Sequence, residues 1–261
     1  MEIALKITRE LFTRGDIIRT VNLDRVSPGK NMLRSDSTRK ADEVLAATPS
    51  FAGLDADTLE AIARFANPRN YDAGQVVFIE GEPCAGLYVI QEGWLKSVKI
   101  SISGREQIIN FVGPGETLNE VGVIADGINP ATAEALEPAK VWIIQRDALL
   151  RLMDEHPPLA LVITQNLAKR VLHLMKMVEN LSLQTVEARL AGIFLEHSTS
   201  DVLNRRRWST QSEMAARLGT VPDVLNRALR SLAEEGLIQI ERHQIQILDR
   251  KGLERKALLG G

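Results

Sequence analysis

The chain has 261 residues, 44% hydrophobic and 25% charged, with a formal net charge of −2 at pH 7. That length points to two domains plus appendages, and the near-neutral balance confines any nucleic-acid surface to a local patch. A single cysteine, Cys84, rules out an intramolecular disulfide and a multi-cysteine iron–sulfur or zinc site, and no apolar run approaches the roughly 18 residues of a membrane helix.

Residues 1 to about 45 mix both charge signs and are expected to be weakly ordered, with a short helix near Ile3 to Phe12. Met32 is a candidate natural start. Charges inside every candidate signal core of "MEIALKITRELFTRGD" and the lone cysteine point to a reducing cytoplasm. Order is expected from "FAGLDADTLEAIARFANPR", where Asp55 caps a helix with an apolar face of Leu59, Ile62, Ala63 and Phe65 or Ala66.

From Arg69 to Arg146 short Val/Ile/Tyr/Phe-rich runs, among them "QVVFIE", "GLYVIQEG" and "AKVWIIQ", alternate with glycines at 74, 81, 86, 93, 104, 113 and 115. This is the pattern of an antiparallel barrel or jelly roll. After Asp147 the period becomes helical. "RDALLRLMDEHPP" predicts a short helix stopped at the proline pair, and a long one follows without interior Gly or Pro. Within it Leu167, Val171, Leu174, Val178 and Leu181 recur at spacings of four, three, four and three, extended more weakly by Ala160 and Thr164. That is a coiled-coil dimer seam, although a core helix lying on the barrel gives the same pattern. Ile163, Leu172 and Met175, off the seam, can face the barrel.

In "TQSEMAARLGTVPDVLNRALRSL" Thr210 and Gln211 start a helix with an apolar stripe of Met214, Ala215 and Leu218, and Gly219 ends it. A second helix buries Val224, Leu225, Ala228, Leu229 and Leu232, and a hairpin-like "LIQIERHQIQIL" follows. Two helices so braced, with a β wing, form a helix-turn-helix. Its free face offers Asp223, Asn226, Arg227 and Arg230 to a major groove: Arg227 suits guanine, Asn226 adenine, and Asp223 accepts from cytosine or orients the arginine. Thr210, Gln211 and the helix amino termini are placed to meet phosphates, with Arg217 or Arg242 as further contacts.

"GEPCAGLYVIQEGWLKSVK", the glycine-bounded loop at Gly115, the long helix, the helix-turn-helix and the wing resemble, in that order, the CRP/FNR family of bacterial transcription regulators. The resemblance implies an α+β chain with an amino-terminal antiparallel β-roll (a jelly roll of the cyclic-nucleotide-binding kind), a long dimerisation helix and a carboxy-terminal winged helix-turn-helix. On this division residues 1–45 are an extension, 46–157 the sensor domain, 158–183 the dimerisation helix and 184–261 the DNA-binding domain. The implied partners are a second copy of the chain, palindromic double-stranded DNA, RNA polymerase and a small effector, with no membrane. The implied mechanism is that an effector near Glu120 and the long helix shifts a hinge around Asn180 to Thr185. Pro222 and Asp223 depart from the family's usual arginine and glutamate, so its DNA sequence preference does not carry over.

The sensor loop departs further. In the cyclic-AMP-responsive members a Gly-Glu-Leu element and an Arg-Ser pair hold the cyclic phosphate; here they read Asn119, Glu120, Val121 and Pro130, Ala131, followed by Thr132. A buried phosphate needs a cation or a nest of amides, so cyclic AMP is not the expected effector. A haem sensor of nitric oxide or carbon monoxide stays open, with His173 the best axial candidate over His156, His197 and His243, as does an apolar small molecule. Cys84 beside Glu80 and Glu82 is expected to be incidental rather than a redox sensor. A cupin-type enzyme is excluded because Arg69 to Arg146 contains no histidine. A cyclic-nucleotide-binding subunit acting on a partner protein would leave the winged helix without a task.

Overall fold

A computed structural model describes residues 41–204, 210–241 and 244–259. The expectations for residues 1 to 40, the "RRRW" of the basic turn, Arg242 and His243 fall outside them. By packing density the chain divides into two units, one holding most residues up to Lys169 and the other Arg105–Ile109 with Arg170–Gly261.

Residues 41–46, expected to be weakly ordered, are helical, and Ala41 and Leu45 are fully buried. In α1 (Ala56–Ala63) the Asp55 carboxylate accepts from the Thr58 amide at 2.8 Å, and Leu59, Ile62 and Ala63 turn inward. Ala66 is buried where Phe65 is exposed, which settles the choice between them.

Eight strands follow: β1 (Ala66–Tyr71), β2 (Val76–Phe78), β3 (Gly86–Glu92), β4 (Leu95–Ile100), β5 (Glu106–Val112), β6 (Thr117–Leu118), β7 (Thr132–Ala135) and β8 (Ala139–Gln145). They form two four-stranded sheets, β1-β8-β3-β6 and β2-β7-β4-β5. The period of two along β3 builds two cores at once. Tyr88 and Ile90 join Phe78, Leu95, Val112, Ala133 and Val141 inside the roll, whereas Leu87 and Val89 face α1 and later helices. Register carries the same alternation across the pair, with Leu87 opposite Ile144 and Ile90 opposite Val141. At Gly86 a Cβ would lie 2.0 Å from the Ile144 carbonyl oxygen, so the close approach of β3 to β8 requires glycine there.

Between β6 and β7 lies the short α2 (Glu120–Ile124); after β8 come α3 (Arg146–Glu155) and α4 (Pro157–Leu183). Proline suits the first turn of α4, where its missing amide has no intrahelical partner. α4 is buried only in its first turns, at Leu159, Val162, Ile163 and Asn166. Ile163 packs on the roll's helical face as expected. Leu172 and Met175 are 66% and 63% exposed.

The second unit packs α5 (Val186–His197), α6 (Gln211–Arg217) and α7 (Pro222–Glu234) on a three-stranded sheet ordered β10 (Ile238–Ile240), β11 (Gln244–Ile247), β9 (Val202–Asn204). Phe194, Met214, Leu218, Leu225, Leu232, Ile238 and Ile245 share one core. Gly219 takes φ +68 at the turn between α6 and α7, a conformation that L side chains rarely adopt. Two elements of this unit are new relative to the sequence reading. β9 pairs with the wing, and α8 (Arg250–Leu259), capped by Asp249 accepting from the Gly252 amide at 2.9 Å, inserts Leu253 into the core.

Candidate functional site

The sensor loop is anchored by asparagines. Asn119 sits at φ 80, in the left-handed region that asparagine tolerates better than most residues, and is buried. Its amide nitrogen donates to Asn129 Oδ1 at 2.9 Å, to Cys84 Sγ at 3.2 Å and to the Gly86 carbonyl at 3.4 Å. Asn129 in turn donates to the Ile79 carbonyl at 3.1 Å. The network ties both ends of the loop to the chain before β3. Burial pushes the Cys84 thiol upward in pKa, so thiolate chemistry is disfavoured there.

Glu120 is buried and accepts a hydrogen bond from the Thr117 hydroxyl. Ala131 and Thr132 are buried too, and the Thr132 hydroxyl accepts from the Glu80 amide at 3.0 Å. Pro130 and Val121 are exposed, so of the six residues expected to line the pocket, Asn119, Glu120, Ala131 and Thr132 turn inward and these two do not. α2 turns Glu120, Gly122 and Val123 inward, which leaves Val121 on its outer side.

The loop lacks a cation of its own, but β4 supplies one. Lys99 Nζ donates to the Pro130 carbonyl at 3.0 Å and pairs with the Glu80 carboxylate. Leu95, Ser97 and Lys99 share a face of β4, and Leu95 belongs to the roll interior, so Lys99 stands at the rim of that interior. Lys96 falls on the opposite face, buried, with Nζ 3.6 Å from Glu134 across the β4–β7 register. The signal was present in "WLKSVKIS": lysines three apart on a strand face opposite ways, so one of them had to approach the inside.

Each of the three described histidines has a neighbour within its own chain. His156 Nδ1 lies 3.3 Å from the Thr58 hydroxyl, His173 is exposed with Nε2 3.3 Å from the Ile109 carbonyl, and His197 contacts Arg217. Among the described residues no three of His, Cys, Asp and Glu cluster as metal ligands.

On the DNA-binding side, Thr210 caps α6, its hydroxyl accepting from the Glu213 amide at 3.2 Å. Asn226 Nδ2 reaches Gln211 Oε1 at 3.4 Å, which links α7 to the start of α6. Asp223, Arg227 and Arg230 are exposed along one side of α7 while Leu225, Ala228, Leu229 and Leu232 are buried on the other. Of the residues expected to read DNA on α7, Asp223, Arg227 and Arg230 are thus exposed and Asn226 is half-buried. A cavity of about 140 Å³ opens beside them, between α6, α7 and the wing, lined by Gln211, Met214, Asn226, Leu229, Arg230 and the wing isoleucines 240 and 245.

α4 presents Val171, Leu174, Val178 and Leu181 to solvent, whereas Leu167 is half-buried against the first core. Leu161, Leu172, Met175 and Leu183 are exposed too, so the apolar face is broader than a two-stranded seam. The sequence reading missed Arg189. From α5 it reaches back to the end of α4, where Nη1 donates to the carbonyls of Gln184, Asn180 and Leu181 at 2.9, 3.2 and 3.5 Å.

Known proteins match both units. Residues 68–156 match the cyclic nucleotide-binding domain and residues 188–256 the Crp-like helix-turn-helix domain. A CRP-like cAMP-activated global transcriptional regulator of Mycobacterium tuberculosis is 27% identical over 222 residues, 83% of this chain and 99% of that protein. The anaerobic regulatory protein of Haemophilus influenzae is 30% identical over 187 residues, 69% of this chain and 72% of its own. The structure of FixK2 from Bradyrhizobium japonicum superposes with a TM-score of 0.64 at 22% identity, covering 73% of this chain and 96% of that one. A β-roll followed by a long helix and a winged helix-turn-helix defines a sensor joined to a DNA reader. The chain belongs to the CRP/FNR family of transcription regulators, and it is a DNA-binding regulator rather than an enzyme.

Proposed function

We propose that the chain acts as a homodimer that reads a palindromic DNA site with Asp223, Asn226, Arg227 and Arg230 and answers to a small effector, other than cyclic AMP, held in the roll near Glu120. The exposed apolar face of α4 supports the dimer, since a helix with Val171, Leu174, Val178 and Leu181 open to water lacks the partner its spacing calls for. Two copies joined there would set two α7 helices in successive major grooves, about 34 Å apart. Residues 158–183 are then the dimerisation helix and 184–261 the reading domain, and RNA polymerase is the downstream partner.

The carrying observation for the effector is the Lys99–Glu80 pair on the Pro130 carbonyl. Where cyclic-AMP-responsive relatives place an arginine, this chain has an exposed proline, and the nearby cation is already paired with the protein's own carboxylate. The relative from Mycobacterium tuberculosis is named for activation by cAMP; Pro130 and Ala131 argue that this chain answers to something else. Titration of promoter fragments against random DNA at several salt concentrations tests the reading. Wild type is expected to prefer some fragments and Arg227→Ala to lose that preference. Equal affinity for all fragments in both proteins would overturn it. Mass spectrometry and an absorption spectrum of the protein with its retained ligand identify the effector class.

A further inference from the structure

Close packing leaves few voids larger than a water molecule inside a domain. The second unit keeps one of about 140 Å³ between α6, α7 and the wing. Its floor is the core itself: Met214, Leu229 and Ile245 are each more than nine-tenths buried, and the half-exposed Ile240 of the wing also lines it. An apolar cavity of roughly 150 Å³ is enough to take a benzene ring. Met214 adds a thioether, which makes favourable contacts with the edges of aromatic rings.

The polar groups of the lining offer donors. Arg230 is exposed, and among the described residues no carboxylate pairs with it. Its guanidinium has donors only. Gln211 Oε1 accepts from Asn226 Nδ2 at 3.4 Å, which leaves the Gln211 Nε2 to donate. An apolar cavity with a cation and an amide donor beside it calls for an apolar body that carries an anionic acceptor. We propose that this cavity binds a small aromatic monocarboxylate of about the size of benzoate, its ring against Met214, Leu229, Ile240 and Ile245 and its carboxylate on Arg230.

Asn226 and Arg230 line the cavity and also belong to the residues proposed to read DNA. A carboxylate on Arg230 takes up the guanidinium fork that a base edge or a phosphate would use, so ligand and DNA compete for one side chain. The effect is reciprocal: the factor that the ligand takes from DNA affinity, DNA takes from ligand affinity. The DNA-binding unit thereby gains an input of its own, separate from the roll. The cavity stands whether or not α7 is the reading helix; the competition rests on that reading.

The test follows isotope-labelled methionine methyl groups of the full chain by NMR, with Met214→Leu assigning the Met214 signal. The probes are benzoate, benzyl alcohol, which keeps the ring without the charge, and acetate, which keeps the charge without the ring. Benzoate is expected to shift the Met214 signal with a dissociation constant on the order of 1 mM. Benzyl alcohol is expected to bind about tenfold more weakly, for want of the charge-assisted bonds, and acetate to leave the signal in place. Arg230→Gln is expected to bind benzoate no better than benzyl alcohol. A Met214 signal unmoved by benzoate, or moved as much by acetate, overturns the proposal, as does unchanged benzoate affinity in Arg230→Gln. Saturating benzoate is expected to lower the DNA affinity of wild type about tenfold, the worth of one bidentate contact, and to leave that of Arg230→Gln unchanged. If the Met214 signal shifts and DNA affinity does not, the ligand site stands and the competition falls. If Arg227→Ala keeps its promoter preference, α7 is not the reading helix, and the Met214 shift still decides the cavity.

Discussion

Arg189 donates from Nη1 to the carbonyl of Gln184 at 2.9 Å and, with the same nitrogen, to Asn180 and Leu181 on the last turn of α4. The final carbonyls of a helix have no intrahelical donor, and the last turn of α4 holds no basic residue. The cap is therefore borrowed from the next helix. Arg189 Nε and Asn180 Oδ1 are both buried at this junction without a hydrogen-bond partner.

Arg189→Ala removes a charge-assisted cap and is expected to cost about 2 kcal/mol in urea unfolding of the carboxy-terminal unit. Arg189→Lys, which keeps the charge but not the reach of the guanidinium, is expected to recover only part of it. A midpoint unchanged in the alanine variant would show that water caps the helix equally well.

His197 gives the DNA-binding unit a pH dependence. Burial first, and the Arg217 guanidinium second, hold its pKa below the ordinary 6.5. The folded state therefore binds fewer protons than the unfolded one in the window below 6.5. Stability is full above that value, falls with pH through it, and levels off beneath the lowered folded pKa. Melting curves from pH 7.5 downward check this, and His197→Gln is expected to flatten the His197 contribution.

Val178→Asp places a charge in the exposed stripe of α4, where the side chain has few contacts within its own chain. Sedimentation is expected to show monomer where wild type shows dimer, with unfolding of the amino-terminal unit nearly unchanged. A variant that still sediments as wild type would remove the seam from the interface.

Pro130→Arg with Ala131→Ser rebuilds the phosphate-holding pair in a loop whose Glu120 is already buried and bonded. Calorimetry is expected to detect cyclic AMP binding in the double variant and none in wild type. Binding by wild type would mean that Lys99 leaves Glu80 to meet the phosphate.

Much of the architecture could be read from periodicity. The alternation in "GLYVIQE" became a strand buried on both faces, and the stripes Met214–Leu218 and Leu225–Leu232 became the packed helix-turn-helix. The candidate sensor site was half legible. Glu120 and Asn119 stand in the loop's own sequence, whereas Lys99 and Glu80 reach it from elements 31 and 50 residues earlier than Pro130, through pairing that no local window contains. α8 escaped because Gly252 and the charges around it hide a helix that, among the described residues, is anchored by Leu253 in the core with Ala257 packed against it. Arg189 looked like one more polar residue in "TVEARLAG" until its three acceptors were seen together.

The Glu80 carboxylate resting on Lys99 makes the roll its own counter-ion store. An acidic ligand entering there must perform an exchange, pushing one carboxylate into water to take its seat, whereas an uncharged one leaves the pair alone. Occupancy by an acid would then fall steeply with ionic strength and occupancy by a neutral molecule would not, so a salt series alone sorts the sensor's stimulus by charge before its identity is known.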